Sequence, residues 1–197
     1  LGTTLDKNGG MQEDIKRRLS LARSAFVTLK PLWKSTKYSN RTKLRIFQSN
    51  VLSVLLYGAE MWRMTETDEK KLNVFQRTCL RRILKLHWPM KVTNEELYQH
   101  SRMTPISNII KIRRWRWIGH TLRRDDNNNA KIALTWAPEG KRKIGRPKTT
   151  WRRTVEAERS QLGWKSWKTA ECTARDREKW QKLLRSLMHQ PGCEEDR

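Results

Sequence analysis

Acidic side chains are scarce in this sequence: 20 Asp and Glu stand against 43 Lys and Arg in 197 residues, a net charge of +23 at pH 7. Such an imbalance does not select a fold, but it points to phosphate backbones or anionic membrane surfaces as partners. Long apolar runs are absent as well. The best of them, VLSVLLYGA at residues 51–59, is far shorter than the roughly 20 residues of a spanning helix, so no membrane partner is expected. Cysteine is too sparse for a disulfide framework, because Cys79, Cys172 and Cys193 are odd in number and far apart. A reducing, intracellular setting, nuclear or cytoplasmic, is expected instead. The opening LGTTLDKNGG has neither an initiating methionine nor a hydrophobic secretory region, so Leu1 is expected to be internal to a longer chain. Period-two alternation is also missing over any useful length, which argues against strands.

What is present has helical spacing. Ile15, Leu19, Ala22, Phe26 and Leu29 fall three and four apart, one apolar stripe of a helix over residues 11–30 that Pro31 should end. Ser39 is placed to cap a second helix carrying Leu44, Phe47, Val51 and Leu55, apolar nearly all round in its later half. Gly58 suits its end. Thr65 and Asp68 have capping-box spacing, and Leu72, Phe75, Cys79, Ile83 and Leu86 follow as a third stripe. Three such helices with short connections make a bundle over residues 1–90. Thr93 with Glu96 caps a shorter helix, and Thr104-Pro105 opens the next; residues 91–137 read as a helical connector. A basic loop and helices over 151–162 and 167–188 complete residues 138–197. The expected class is all-α. Hydrophobic residues are only 36% of the chain, below the usual globular share. Ten tryptophans partly offset this.

The strongest local signal is RRWRWIGHTLRRDDNNN, residues 113–129. On a helix, Arg113, Trp117 and Arg124 share one face with His120 between them, and Arg116 and Arg123 lie on another. Guanidinium groups clamp phosphates bidentately and indoles can stack on bases. With no acids interleaved, Arg113, Arg114, Arg116, Arg123 and Arg124 are read as phosphate contacts, and Trp117, flanked by apolar residues at helical spacing, as the anchor of the helix. A second basic stretch, KRKIGRPKTTWRR, adds Lys141, Arg142, Lys143, Arg146, Lys148, Arg152 and Arg153. It reads as a loop that follows a nucleic-acid backbone, although a nuclear-import signal has a similar composition.

Catalytic and metal signals are weak. His189 and Cys193 have a tolerable ligand spacing, but no Cys-x-x-Cys pair accompanies them. Asp125 and Asp126, with Glu139 and Lys141 downstream, could hold a divalent ion for a nuclease. An acid pair followed by three asparagines is more simply a polar turn. No catalytic residue and no metal ligand are therefore assigned.

Five stretches carry a resemblance: RTKLRIFQSNVLSVLLYGAEMW (41–62), FQRTCLRRILKLHW (75–88), RRWRWIGHTLRRDD (113–126), GRPKTTWRR (145–153) and ARDREKWQKLL (174–184). In this order they resemble the C-terminal part of the endonuclease–reverse transcriptase polyproteins of non-LTR retrotransposons, the RTE-like long interspersed elements. The resemblance implies that the first three helices are the thumb, which grips the template–primer duplex. It implies that the later basic region binds element RNA or target DNA during target-primed reverse transcription. The palm aspartates that hold divalent metal such as Mg2+ would lie upstream of Leu1, so no cofactor is expected in this chain, which is expected to be inactive as a polymerase alone. Expected partners are RNA, DNA or an RNA–DNA hybrid, and the upstream palm and fingers, in an intracellular ribonucleoprotein. The alternatives are a domesticated, free-standing DNA- or RNA-binding protein and a metal-dependent nuclease.

Overall fold

The computed structural model describes residues 11–87, 89–136 and 150–186, and within them the chain is all-α, without a strand. Helix α1 (Gln12–Thr28) turns its stripe of Ile15, Leu19, Ala22 and Phe26 inward. Pro31 does more than end it. The helix stops at Thr28 and the proline sits in the first turn of a short α2 (Lys30–Lys34), where the N–H it lacks would have had no helical partner. The indole N–H of Trp33 then donates to the carbonyl oxygen of Phe26 at 2.8 Å, and the two rings stack at 5.1 Å. Buried Lys43 closes the corner, its Nζ donating to the carbonyl oxygens of Trp33 and Ser35 at 3.0 and 2.6 Å.

Ser39 caps α3 (Asn40–Ile46) by accepting from the Thr42 backbone N–H. The rod continues through a π-helical turn (Phe47–Leu52) into α4 (Ser53–Leu55). Gly58 takes a left-handed φ of 72° that leads into a single 3-10 turn (Ala59–Met61). Thr65 then caps α5 (Glu66–Leu84), which Lys85 ends in the left-handed region. The helix α1, the α3–α4 rod and α5 pack on one another around a first core that includes Phe26, Phe47, Leu55, Leu72 and Ile83.

A full capping box of Thr93 and Glu96 starts α6 (Asn94–Ser101). Next comes α7 (Ile106–Leu122), with Pro105 at its N-cap rather than at its first position. Buried Gln76 secures that entry: its amide donates to the Thr104 carbonyl oxygen and its oxygen accepts from the Ile106 N–H, both at 2.9 Å. Ile106 and Ile110 belong to the first core. Ile112, Trp115, Ile118 and Leu122 belong to a second. That second core is completed by α8 (Asn129–Thr135), α9 (Trp151–Gln161), α10 (Trp167–Arg175) and α11 (Arg177–Ser186). Where one pattern was expected over 167–188, two helices meet at Asp176. The cores divide inside α7, whereas the sequence suggested units ending at 90 and 137.

Tryptophan fills the second core. Trp164 and Trp180 stack at 4.8 Å with 9° between their planes, and Trp115 lies 5.1 Å from Trp164. Gly119 permits this, since a Cβ there would sit 2.3 Å from Nε1 of Trp180. The glycine of RWIGH is thus a close-approach residue that lets α11 rest on α7.

Candidate nucleic-acid interface

The arginines of α7 do not share one fate. Arg114 follows Ile110 and precedes Ile118 at intervals of four, so the helix carries it inward, and it has no exposed surface. Its guanidinium donates to the carbonyl oxygens of Trp62 at 2.6 Å and Glu60 at 3.3 Å and forms an ion pair with Glu158. The other Glu158 oxygen accepts from the Trp115 indole at 2.8 Å. Burial pushes the Glu158 carboxyl up and the Arg114 guanidinium down, each opposed by the partner's charge. A buried charge is tolerated only when paired and hydrogen-bonded, and this one is. The sequence pattern places Arg114 among the phosphate contacts; in this fold it is a strut between the two cores.

Three more of the expected contacts, Arg113, Arg152 and Arg123, donate to backbone carbonyl oxygens. Half-buried Arg113 donates to the Leu56 carbonyl oxygen at 2.8 Å. Arg152 donates to the carbonyl oxygen of Leu134 at 2.9 Å and also reaches that of Trp136, covering the C-terminal end of α8. Lys141, Arg142, Lys143, Arg146 and Lys148 lie outside the described residues, as do Glu139, His189 and Cys193.

Arg116, Arg124 and Arg153 are exposed. Arg124 Nη2 lies 3.1 Å from His120 Nε2. Arg123 is half-buried and donates to the Ala174 carbonyl oxygen at 3.1 Å. Between α7 and α11 runs an open cleft of about 530 Å³, walled by Arg116, His120 and Arg123 on one side and by Arg177, Gln181 and Arg185 on the other, over Trp180 and Leu184. Four guanidinium groups converge there, and among the described residues no carboxylate lines it. Their crowding is felt at Arg123, whose guanidinium is held below its ordinary value by desolvation and then by the like charge of Arg177. Sequence reasoning missed Arg177 and Arg185. On α11 they fall with Gln181 at intervals of four, one face beside the inward Trp180 and Leu184, but nothing local sets that face against α7.

A second, shallower depression of about 460 Å³ adjoins the first, sharing Arg116, His120 and Arg123, with Glu60, Arg113 and Trp117 as its other walls. Trp117 packs on the second core with its ring edge-on to Trp151, centroids 6.1 Å apart at 79°. Its indole is only half-buried.

The acid pair reads differently in space. Exposed Asp126 binds Lys131 at 2.7 Å, and the same ammonium reaches Glu171 at 2.9 Å, tying the turn and α8 to α10. Hydrogen bonds from Lys131 hold both carboxyls below their ordinary range. Among the described residues no three His, Cys, Asp or Glu side chains are grouped to hold a metal ion.

Residues 25–57, from the end of α1 through the α3–α4 rod, match a family described as "Domain of unknown function (DUF6451)". The chain is also 24% identical over 163 residues to an uncharacterized transposon-derived protein of Caenorhabditis elegans, an alignment covering 80% of this chain and 58% of the relative. The chain is therefore related to a transposon-derived protein and spans a little over half of its length. No solved structure matches.

Proposed function

We propose that this chain is a nucleic-acid-holding segment of a transposable-element protein, with the α7–α11 cleft gripping the phosphate backbone. The observation that carries the reading is the convergence of Arg116, Arg123, Arg177 and Arg185 on a cleft with no acid among the described residues that line it. Bidentate guanidinium groups suit phosphate oxygens, and no described residue of the cleft walls neutralises them. Two turns of α7 separate Arg116 from Arg123, about 10 Å, which is room for more than one phosphate of a strand. The finer form of the proposal is the thumb and basic tail of a non-LTR retrotransposon reverse transcriptase. Here the first core would be the thumb, and the chain would hold template–primer, element RNA or target DNA during target-primed reverse transcription. The order of the five motifs and the transposon-derived relative support it. Polymer chemistry would then belong to an upstream palm with its divalent metal, and the purified chain should extend no primer.

Binding to RNA, duplex DNA and hybrid across a salt series tests the reading. Neutralising Arg116 and Arg123, or Arg177 and Arg185, should flatten the slope of log K against log salt by about 0.7–0.9 for every phosphate no longer neutralised. It should weaken all sequences alike, because phosphates carry no sequence information. A folded variant lacking all four arginines that bound with an unchanged salt slope would remove the cleft from the interface.

A further inference from the structure

We infer that the depression beside Trp117 receives an unpaired base, so that the ligand of the adjoining cleft is a single strand or the single-stranded part of a larger nucleic acid. This rests on reading the α7–α11 cleft as a phosphate site. The two depressions share one wall, formed by Arg116, His120 and Arg123. A strand whose phosphates lie in the first can therefore present a base to the second without leaving the protein.

The chemistry of the two hollows differs in the sense this requires. The first has four guanidinium groups and, among the described residues, no acid. The second has Glu60 on its rim and an indole in its wall. A carboxylate repels a phosphate but accepts a hydrogen bond from the exocyclic amine of a base. An aromatic ring offers a stacking face that every base can use. Trp117 is the indole that lines this hollow. Trp115 donates to Glu158, Trp151 donates to the Glu60 carbonyl oxygen, and Trp164 and Trp180 cover one another. Trp151 meets Trp117 edge to face, which holds the ring steady while it stays half-exposed. Arg113 and Arg116 flank it, and guanidinium planes also stack on bases. In a duplex the bases remain paired and stacked on one another, so none is free to enter the second hollow.

The test uses the full 197-residue chain, a single-stranded oligonucleotide with one 2-aminopurine, and the duplex of the same length, all at one salt concentration. The single strand should bind more tightly than the duplex, and 2-aminopurine fluorescence should be quenched in the complex. Trp117→Leu keeps an apolar side chain beside Trp151 but has no π-face. It should weaken single-strand binding about tenfold and duplex binding little, with Trp117→Phe recovering much of the affinity; melting curves establish that each variant is folded. The 2-aminopurine signal needs no variant at all. Absence of quenching in wild type, or a folded Trp117→Leu that binds both ligands as wild type does or is weakened equally on both, overturns the inference. If binding in that case still depends on Arg116 and Arg123, the phosphate reading stands without the base site. If neither ligand binds, or the arginine variants are silent, the phosphate reading itself fails.

Discussion

The two cores are built from different materials. The first is built mainly of Leu, Ile, Val and Phe from α1, the α3–α4 rod and α5, with Trp33 and Trp62 among them; buried Gln76 and Lys43 are satisfied by backbone, and buried Asp14 accepts from the Trp62 indole at 2.8 Å. The second buries fewer aliphatic side chains and relies on Trp115, Trp164 and Trp180, with Trp117, Trp151 and Trp167 packed against them. A basic, polar chain with short helices has few apolar residues per turn, and an indole buries a large area from a single position. The second core also encloses an ion pair that reaches back to the carbonyl oxygens of Glu60 and Trp62 in the first unit. Core composition thus follows what each segment does on its surface: the arginine-rich helices that face the cleft anchor themselves by tryptophan.

Cutting the strut is the sharpest way to break this comparison. Arg114→Met leaves the Glu158 carboxylate buried without its partner, a change that typically costs about 3–5 kcal/mol. The tryptophan-rich core should open first. Buried Cys79 reports on the other side, because burial holds its thiol up to about 12 and keeps it unreactive until the first core opens. The emission change of Trp115, Trp164 and Trp180 should therefore precede Cys79 alkylation along a denaturant titration of the variant, with Trp33 and Trp62 following Cys79. Coincident transitions at the wild-type midpoint would show that Arg114 joins nothing. The converse change, Leu55→Ala in the first core, removes a side chain with no exposed surface and should cost about 2–5 kcal/mol. It should expose Cys79 together with Trp33 and Trp62, before the emission of Trp115, Trp164 and Trp180 responds.

These two regions are not equally legible in the sequence. Stripes such as Ile15-Leu19-Ala22-Phe26, and the caps at Ser39, Thr65 and Thr93, are local features, and the first core follows from them. The second core depends on the packing of α7 against segments some 40 to 65 positions later, which no local period reveals. Arg114 illustrates the failure. Composition marks it as one more cation in RRWRWIGHTLRR, whereas its phase with Ile110 and Ile118 marks it as internal, and the phase is the better guide. Glu158 holds the complementary signal, one acid in phase with Val155 on a basic helix. The candidate cleft is half legible for the same reason: Arg116 and Arg123 are visible in their motif, whereas Arg177 and Arg185 join them only when α11 folds back onto α7.

Gly119→Ala sharpens the contrast with a smaller perturbation. The added methyl would meet the Trp180 ring at 2.3–2.9 Å, and overpacking of this kind costs about 1–3 kcal/mol. The displaced element would be α11, which carries Arg177 and Arg185, so the nucleic-acid affinity proposed for the cleft should fall together with the melting temperature. Cys79 alkylation in the native protein should not change. A variant as stable as wild type would mean that Trp180 shifts at no cost, and that the stack is looser than its geometry.

The smallest effect expected is on pH dependence, and it concerns the ion pair itself. Burial raises the Glu158 carboxyl above its ordinary value, with Arg114 opposing the shift. A carboxyl that binds its proton more tightly in the folded chain than in the unfolded one stabilises the fold at acidic pH. That contribution is lost as pH rises above the ordinary carboxylate range and through the raised value. Glu69 is shifted the same way by burial, while Asp126 and Glu171 are shifted downward by Lys131, so the pH profile of the whole protein mixes opposing signs. The difference between wild type and Glu158→Gln isolates the one group, because the amide does not titrate. Measured by denaturation between about pH 4 and pH 8, the stability of wild type relative to the Gln variant should decline as pH rises, whatever the absolute cost of the substitution. A relative stability that grew with pH would mean that the attraction of Arg114 outweighs desolvation. The second core would then be held together by its charges as much as by its tryptophans.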